Sequence, residues 1–145
     1  LRIANPFGPY QDPGRRQGII AAAIASIFAG KPIEIWGDGT VIRDFIYIDD
    51  VISAFIAAAD YDGPTGIFNI GSGIGRSVNE IVASVGQAIG VDAPRRVYRQ
   101  GRPSDVPVNV LDIALARQEL AWAPTADWAE SLRSTAEWLK TSWTA

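Results

Sequence analysis

The sequence predicts an α/β protein in which short apolar strands alternate with helices. Two stretches carry this prediction. Residues 42–48 form an apolar run that leads into a helix, and residues 67–70 form another that is followed by a glycine-rich turn and a second helix. With 145 residues, of which 48% are apolar and 20% charged, the chain is long enough for one domain with a hydrophobic core and is not disordered.

Composition limits the classes of function. The net charge of −3 argues against a nucleic-acid-binding surface, and the longest apolar run, residues 19–29, is too short and too rich in alanine to span a bilayer. We therefore expect a cytoplasmic protein without nucleic-acid or membrane partners. The sequence has no cysteine and no histidine, which excludes a disulfide, a Ser-His-Asp triad and histidine ligands to a metal, and no metal site is predicted.

Residues 37–50 organise the rest of the chain. Asp38-Gly39 predicts the tight turn of a β-hairpin, because glycine accepts the positive φ that such a turn needs. The strand that follows contains Arg43, and a guanidinium within an apolar strand requires an anion. One candidate partner is Asp44 or another carboxylate. The other is a phosphate, which the planar guanidinium can bind through two parallel hydrogen bonds.

The remaining elements follow from caps and periodicity. Asp49 and Asp50 occupy N-cap positions of one helix, and Ser77 with Glu80 forms a capping box at the start of another. The run at residues 19–29 lacks a polar face, which predicts a helix buried on most sides. Helices are predicted at residues 19–29, 49–60, 77–89, 112–120 and 127–143, and strands within residues 1–10 and at residues 32–36, 42–48, 67–70 and 95–98.

The glycine-rich turn at residues 71–76 is not predicted to bind a dinucleotide. A Gly-x-Gly-x-x-Gly fingerprint requires glycine at the sixth position, where this chain has Arg76. The acidic residue about 20 positions further on, Asp92, lies in a turn and not at the end of a strand. None of the four tyrosines is followed by a lysine four residues later, so the chain also lacks a Tyr-x-x-x-Lys pair.

Several motifs resemble those of one family, in the same order. Gly-Asp-Gly at residues 37–39 precedes Arg-Asp-Phe-Ile at residues 43–46, and residues 68–73 read Phe-Asn-Ile-Gly-Ser-Gly. The chain resembles the NAD-dependent epimerase/dehydratase family of the extended short-chain dehydrogenase/reductases, in particular its UDP-glucose 4-epimerase branch. The resemblance also includes an Arg-x-x-Asn-x-Phe-Gly-Pro motif and part of an Arg-x-Gly-Asp motif, carried by Arg2, Asn5, Phe7, Gly8, Pro9, Arg102 and Asp105, with Ser104 at the glycine position.

The resemblance implies a fold and a cofactor. It implies the C-terminal substrate-binding lobe of an extended Rossmann-type enzyme, with a few strands of the parallel sheet. Residues 1–145 would form a single sugar-nucleotide-binding lobe that lacks the N-terminal NAD-binding half. In the family a Tyr-x-x-x-Lys pair does the acid-base work, so no catalytic residue is expected in this chain. The cofactor of the parent enzyme would be NAD, and its substrate a nucleotide sugar such as UDP-glucose.

The resemblance also implies roles for individual residues. Arg43 and Arg102 would bind the substrate diphosphate from opposite sides, and the backbone near Trp36 would contact the base. The start of the first helix would touch the nucleotide, and the first strand would lie beside the sugar and the nicotinamide. The predicted substrate-binding residues are Asn5, Gln17, Ile19, Ile20, Ile35, Trp36, Arg43, Arg102 and Asp105, and the predicted cofactor contacts are Ile3 and Pro6.

The residues themselves leave simpler interpretations open at three of these positions. Asn5 would then be a turn residue that bonds its own backbone before Pro6. Trp36 would be an aromatic residue of the core. Arg102 would form a surface ion pair with Asp105, an interaction that contributes little to stability.

These implications predict the substrate-binding half of an NAD-dependent nucleotide-sugar epimerase or dehydratase, inactive by itself. The alternative is a non-catalytic remnant that folds and self-associates through its exposed half-sheet, because an unpaired strand edge and an uncovered apolar face favour association. Nucleotide binding that depends on Arg43 would favour the first hypothesis. Concentration-dependent assembly without a response to ligand would favour the second.

Overall fold

The computed structural model describes residues 1–15, 18–101 and 105–142, and strands and helices alternate within them. A single turn of 3₁₀ helix lies at Pro13–Arg15. The described strands are β1 (Arg2–Ile3), β2 (Asn5–Phe7), β3 (Ile33–Trp36), β4 (Ile42–Tyr47), β5 (Asn69–Ile70), β6 (Gly75–Ser77), β7 (Arg96–Arg99) and β8 (Val108–Asn109). The described helices are α1 (Ile19–Phe28), α2 (Ile48–Ala59), α3 (Val78–Ala88), α4 (Ala114–Glu119) and α5 (Trp128–Ser142).

The strands pair mostly in parallel. β1 pairs with β5, and β3 pairs with β7, each in parallel. At the centre β4 pairs in parallel with β2 and β8 and antiparallel with β6. Parallel strands joined through helices define an α/β fold, which confirms the predicted fold class. Strand β4 connects distant parts of the chain, because its neighbours β2, β6 and β8 come from the start, the middle and the late part of the sequence.

Helices cover both faces of the strands and enclose two hydrophobic cores. The first core lies among α1, α3 and α5, around the fully buried Ile24, Ile81 and Leu132. The second lies under α2 and α4, around Ile70 and Trp122. Half of the α1 residues are buried, as its apolar sequence predicts. Among the described residues no helix has both the length and the apolar character that crossing a membrane requires.

The hairpin predicted at Asp38-Gly39 is wrong. β3 pairs with β7, whereas β4 pairs with β2, β6 and β8, so the turn connects strands of different sheets. Gly37 and Gly39 do adopt positive φ angles of 80° and 76°. Glycine therefore indicates the turn conformation correctly. The pairing of the flanking strands is decided by residues that are distant in sequence.

The cap predicted for α2 is also wrong, whereas the cap of α3 is confirmed. Helix α2 follows Tyr47, which makes no side-chain capping bond, and both aspartates lie inside the helix. Asp50 is buried and accepts a hydrogen bond from the backbone N–H of Thr125 at 2.9 Å, so it joins α2 to the start of α5. At α3, Ser77 and Glu80 form the predicted capping box.

Candidate functional site

Arg43 connects the central strand to the segment before β8. It lies on β4, opposite Arg76 of β6 in the antiparallel pair. Its Nη1 donates hydrogen bonds to the backbone carbonyl of Ile42 at 2.8 Å and to that of Val106 at 2.6 Å. The guanidinium therefore anchors the Val106 segment to the beginning of β4. Asp44, the carboxylate proposed from sequence as its partner, makes different contacts.

Asp44 is a buried carboxylate, 1% exposed, that fills the glycine-rich turn. It accepts hydrogen bonds from the backbone N–H groups of Ser72 at 2.8 Å, Gly73 at 3.1 Å and Leu111 at 3.3 Å. The Ser72 hydroxyl donates a further bond at 2.6 Å. A buried charge requires such donors, because its desolvation is costly. The backbone N–H groups of Ser72 and Gly73 therefore donate to the Asp44 carboxylate and do not form a cradle for phosphate.

A groove of about 360 Å³ lies between the turn after β3 and the segment before β8. Trp36 and Asp105 both line it. Trp36 is 53% exposed, so its interpretation as a core aromatic is wrong. Val106 follows Asp105 in the chain, and the hydrogen bond from Arg43 to Val106 therefore holds the wall that carries this carboxylate. The structure thus brings Trp36, Asp105 and Arg43 into one region.

The turn at residues 37–40 forms another wall of this groove. Asp38 Oδ1 accepts hydrogen bonds from the hydroxyl of Thr40 at 2.6 Å and from its backbone N–H at 2.9 Å. These bonds favour the ionised form and lower the pKa of the Asp38 carboxyl. The side chain of Asp38 therefore fixes the local shape of the turn.

Two residues that support this turn, Asn79 and Tyr98, are not predicted from the sequence. Asn79 of α3 donates a hydrogen bond through Nδ2 to the backbone carbonyl of Asp38 at 2.9 Å. Tyr98 of β7 donates its hydroxyl to Asn79 Oδ1 at 3.0 Å. The bonded residues are 41 and 19 positions apart, and no local pattern indicates that they meet.

The opening strands carry Asn5 and the two predicted cofactor contacts. Asn5 Nδ2 donates a hydrogen bond to the backbone carbonyl of Asp44 at 2.7 Å, so its interpretation as a turn residue bonding its own backbone is wrong. Pro6 is exposed on β2, and Ile3 packs partly buried against the second core. Contacts of these three residues with a sugar or with NAD remain predictions.

Three predicted substrate contacts have side chains that belong to the core. Ile20 and Ile35 are 1% and 0% exposed, and Ile19 packs partly buried against the same core. A ligand contact at Ile20 or Ile35 has to use the backbone, because both side chains are fully buried. At α1 the N-cap glycine provides no side-chain capping bond, so the first amides of the helix lack this partner. Gln17 and Arg102 lie outside the described residues, and their roles remain predictions.

Comparison with known proteins identifies the family. The sequence model of the NAD dependent epimerase/dehydratase family matches residues 1–71. Over 138 residues the chain is 34% identical to UDP-glucose 4-epimerase from Mycolicibacterium smegmatis. This match covers 94% of this chain and 44% of that protein. These matches confirm the resemblance of the chain to the NAD-dependent epimerase/dehydratase family. The chain spans less than half the length of this relative.

Solved structures of epimerase/dehydratase family members have the same fold. UDP-glucose 4-epimerase from Thermotoga maritima, solved with UDP-glucose, superposes with a TM-score of 0.91 at 35% identity, covering 99% of this chain and 46% of that one. UDP-glucuronic acid 4-epimerase from Bacillus cereus, solved with UDP-glucuronic acid and NAD, superposes with a TM-score of 0.89 at 27% identity. The match covers 99% of this chain and 45% of that one. The likeness confirms the extended Rossmann-type fold.

The described residues do not fit the pyrophosphate of NAD at the glycine-rich turn. A phosphate there would need the backbone N–H groups that Asp44 already occupies. A β carbon on Gly71 would collide with the Asp44 carboxylate, so that carboxylate fills the space that the glycine leaves. The glycine-rich turn at residues 71–76 therefore offers no dinucleotide cradle.

Proposed function

We propose that this chain is the nucleotide-sugar-binding lobe of an NAD-dependent epimerase or dehydratase, with a UDP-sugar such as UDP-glucose as its ligand. The observation that carries the proposal is the groove shared by Trp36 and Asp105 and anchored by Arg43. An exposed indole offers a face on which a base can stack, and a guanidinium offers a planar cation for a diphosphate. The relatives solved with UDP-sugars support the class of ligand.

Arg43 serves two purposes in this proposal. A guanidinium has five N–H donors, two of them on each terminal nitrogen and one on Nε. Arg43 commits Nη1 to the carbonyls of Ile42 and Val106. A phosphate would therefore be bound through Nε and Nη2, which together form the edge used in bidentate pairs. The same side chain would shape the groove and hold the ligand in it.

The lobe binds and orients its ligand and leaves the chemistry to groups outside this chain. NAD would supply the hydride acceptor in the whole enzyme. Contacts of Arg43 and Trp36 with the nucleotide, remote from the reacting carbon, would supply binding energy that positions the sugar. The chain has no Tyr-x-x-x-Lys pair for proton transfer. We therefore propose that by itself it binds a nucleotide sugar without converting it.

Calorimetric titration with UDP-glucose tests the proposal. Arg43→Lys keeps the charge but loses the planar fork, so it cannot hold two carbonyls and a phosphate together. We expect the dissociation constant of this variant to rise about tenfold or more. Arg117→Lys on the exposed face of α4 is the matched control and should bind as the wild type does. Absence of saturable binding to the wild type, or equal binding by both lysine variants, would contradict the proposal.

A second candidate is a module that associates with another copy of itself. Ile52, Phe55 and Ile56 of α2 are 52%, 54% and 62% exposed, and exposed Ala59 continues the same helical stripe. Such a stripe commonly marks an interface. Sedimentation equilibrium over a wide concentration range tests this candidate. It requires a dimer that Phe55→Glu dissociates and Phe28→Glu, at the end of α1, does not.

A further inference from the structure

Asn79 makes three hydrogen bonds that join α3 and β7 to the turn of the groove. Its Nδ2 donates to the Asp38 carbonyl at 2.9 Å, and its backbone N–H donates to the Gly39 carbonyl at 3.0 Å. Its Oδ1 accepts the hydroxyl of Tyr98 at 3.0 Å. A β carbon on Gly39 would lie 2.5 Å from Asn79 Oδ1, so the amide packs against the turn with no space for a side chain.

The bonds of Asn79 fix the position of the turn, whereas the bonds of the turn itself fix its shape. Thr40 donates two hydrogen bonds to the Asp38 carboxylate, and both bonds lie within the turn itself. At its entry, the backbone N–H of Gly37 donates to the Arg99 carbonyl at 2.9 Å. Beyond that point, Asn79 holds two consecutive carbonyls of the turn. Tyr98 in turn fixes the amide plane of Asn79.

We propose that Asn79 and Tyr98 are positioning residues that set the affinity of the groove for a nucleoside diphosphate. The inference rests on the proposed function of the groove. The turn follows Trp36 directly and lines the same groove, so a displacement of the turn changes the indole and the wall together. Neither residue has to touch the ligand, since the Asn79 amide holds the turn and the Tyr98 hydroxyl holds Asn79.

Binding of UDP to three variants of the whole chain tests the inference. Asn79→Ala removes both side-chain bonds, Tyr98→Phe removes one hydroxyl, and the double variant combines them. Tyr61→Phe is the matched control, because the Tyr61 hydroxyl donates to Glu119, a residue that does not line the groove. The dissociation constant is measured by calorimetry and the unfolding midpoint by circular dichroism. The indole N–H signal of Trp36, assigned with Trp36→Phe, reports the position of the turn without ligand.

We expect each single variant to weaken UDP binding about 3- to 10-fold, an effect comparable in size to the net contribution of one hydrogen bond. The double variant should bind no more weakly than Asn79→Ala, because Tyr98 acts through Asn79. The free Trp36 indole signal should shift in both single variants and not in Tyr61→Phe. The unfolding midpoint of Tyr98→Phe should stay close to that of the wild type, since its ring is half exposed.

Other outcomes overturn the inference and separate it from the proposed function. Single variants that bind UDP as the wild type does, while Arg43→Lys binds weakly, would overturn the positioning role and leave the groove as a nucleotide site. Additive losses in the double variant would mean that Tyr98 does not act through Asn79. A lower unfolding midpoint with unchanged affinity would show a purely structural role. A wild-type chain that binds no UDP would overturn the proposed function and this inference together.

Discussion

The Asp44 carboxylate accepts a hydrogen bond from the backbone N–H of Ser72 at 2.8 Å, although Arg43, its neighbour in the strand, carries the opposite charge. Successive side chains of a strand point to opposite faces. Arg43 therefore reaches the Val106 segment, and Asp44 reaches the glycine-rich turn. Two adjacent residues of β4 thus bind two different segments of the chain. Arg43 holds the segment before β8 beside the groove, and Asp44 holds the glycine-rich turn.

Asp44→Ala should destabilise the protein strongly. The substitution leaves the backbone N–H groups of Ser72, Gly73 and Leu111 without their acceptor inside the protein. A fully buried donor that loses its partner costs about 1–3 kcal/mol, and these three bonds are partly buried, so we expect a total loss of about 2 kcal/mol or more. Urea unfolding measures the change. Asp62→Asn on the exposed turn after α2 is the control, and a loss no larger than that of the control would contradict this role.

Glu80→Gln should flatten the pH dependence of stability. The backbone N–H and the hydroxyl of Ser77 both donate to the Glu80 carboxylate and lower its pKa below the usual 4.5. The ionised carboxylate therefore stabilises the fold above that value, and the contribution is lost as the pH falls through the lower folded pKa. Chemical unfolding between about pH 6 and pH 3 should show a steeper loss for the wild type than for Glu80→Gln. Equal slopes would contradict the prediction.

Gly39→Ala should cost more stability than Gly30→Ala. Both glycines have positive φ, 76° and 63°, at which an alanine pays about 1–2 kcal/mol. A β carbon at Gly30 meets no atom within 4 Å, whereas one at Gly39 collides with Asn79. Urea unfolding should therefore show a loss of about 1 kcal/mol for Gly30→Ala and a clearly larger loss for Gly39→Ala. Equal losses of unfolding free energy in the two variants would contradict the prediction, because they would mean that Asn79 can move aside without destabilising the protein.

Trp36→Ala should weaken nucleotide binding with little effect on stability. Its indole is half exposed, so truncation removes little core packing. Stacking of a base on an aromatic ring contributes about 1–3 kcal/mol, which corresponds to a rise in the UDP dissociation constant of about 5- to 100-fold. Trp36→Phe should recover part of the affinity. Phe55→Ala, which truncates an exposed aromatic residue of α2, should bind UDP like the wild type, and an equal loss in both would refute the assignment.

Local signals predict the elements of this fold well. The capping box of Ser77 and Glu80 and the apolar periodicity of α1 depend on residues within a few positions of one another. Such patterns are set by the 3.6-residue repeat and by the unpaired amides at helix ends. The need of Arg43 for a partner could likewise be predicted from its strand. The family motifs add Trp36, Arg43 and Asp105 as candidate site residues.

Partners that are distant in sequence could not be predicted in the same way. Asp44 or another carboxylate is one of the two partners that the sequence offers Arg43, the other being a phosphate, but the structure shows a hydrogen bond to the backbone carbonyl of Val106, 63 residues away. The glycines after β3 predict a hairpin, yet β3 pairs with β7 because the tertiary fold selects a different neighbour. Asn79 carries no local signal at all, since its role depends on the path of the turn in space.

We propose that the groove beside Trp36 holds a nucleotide sugar. A two-dimensional amide NMR spectrum of the chain, recorded with and without UDP-glucose, tests it most directly. We predict that the signals that shift belong to Trp36, to the turn at residues 37–40 and to residues 105–107, and that Arg43→Lys reduces these shifts. Dispersed signals that do not respond to UDP-glucose, or shifts confined to α2, would contradict the account.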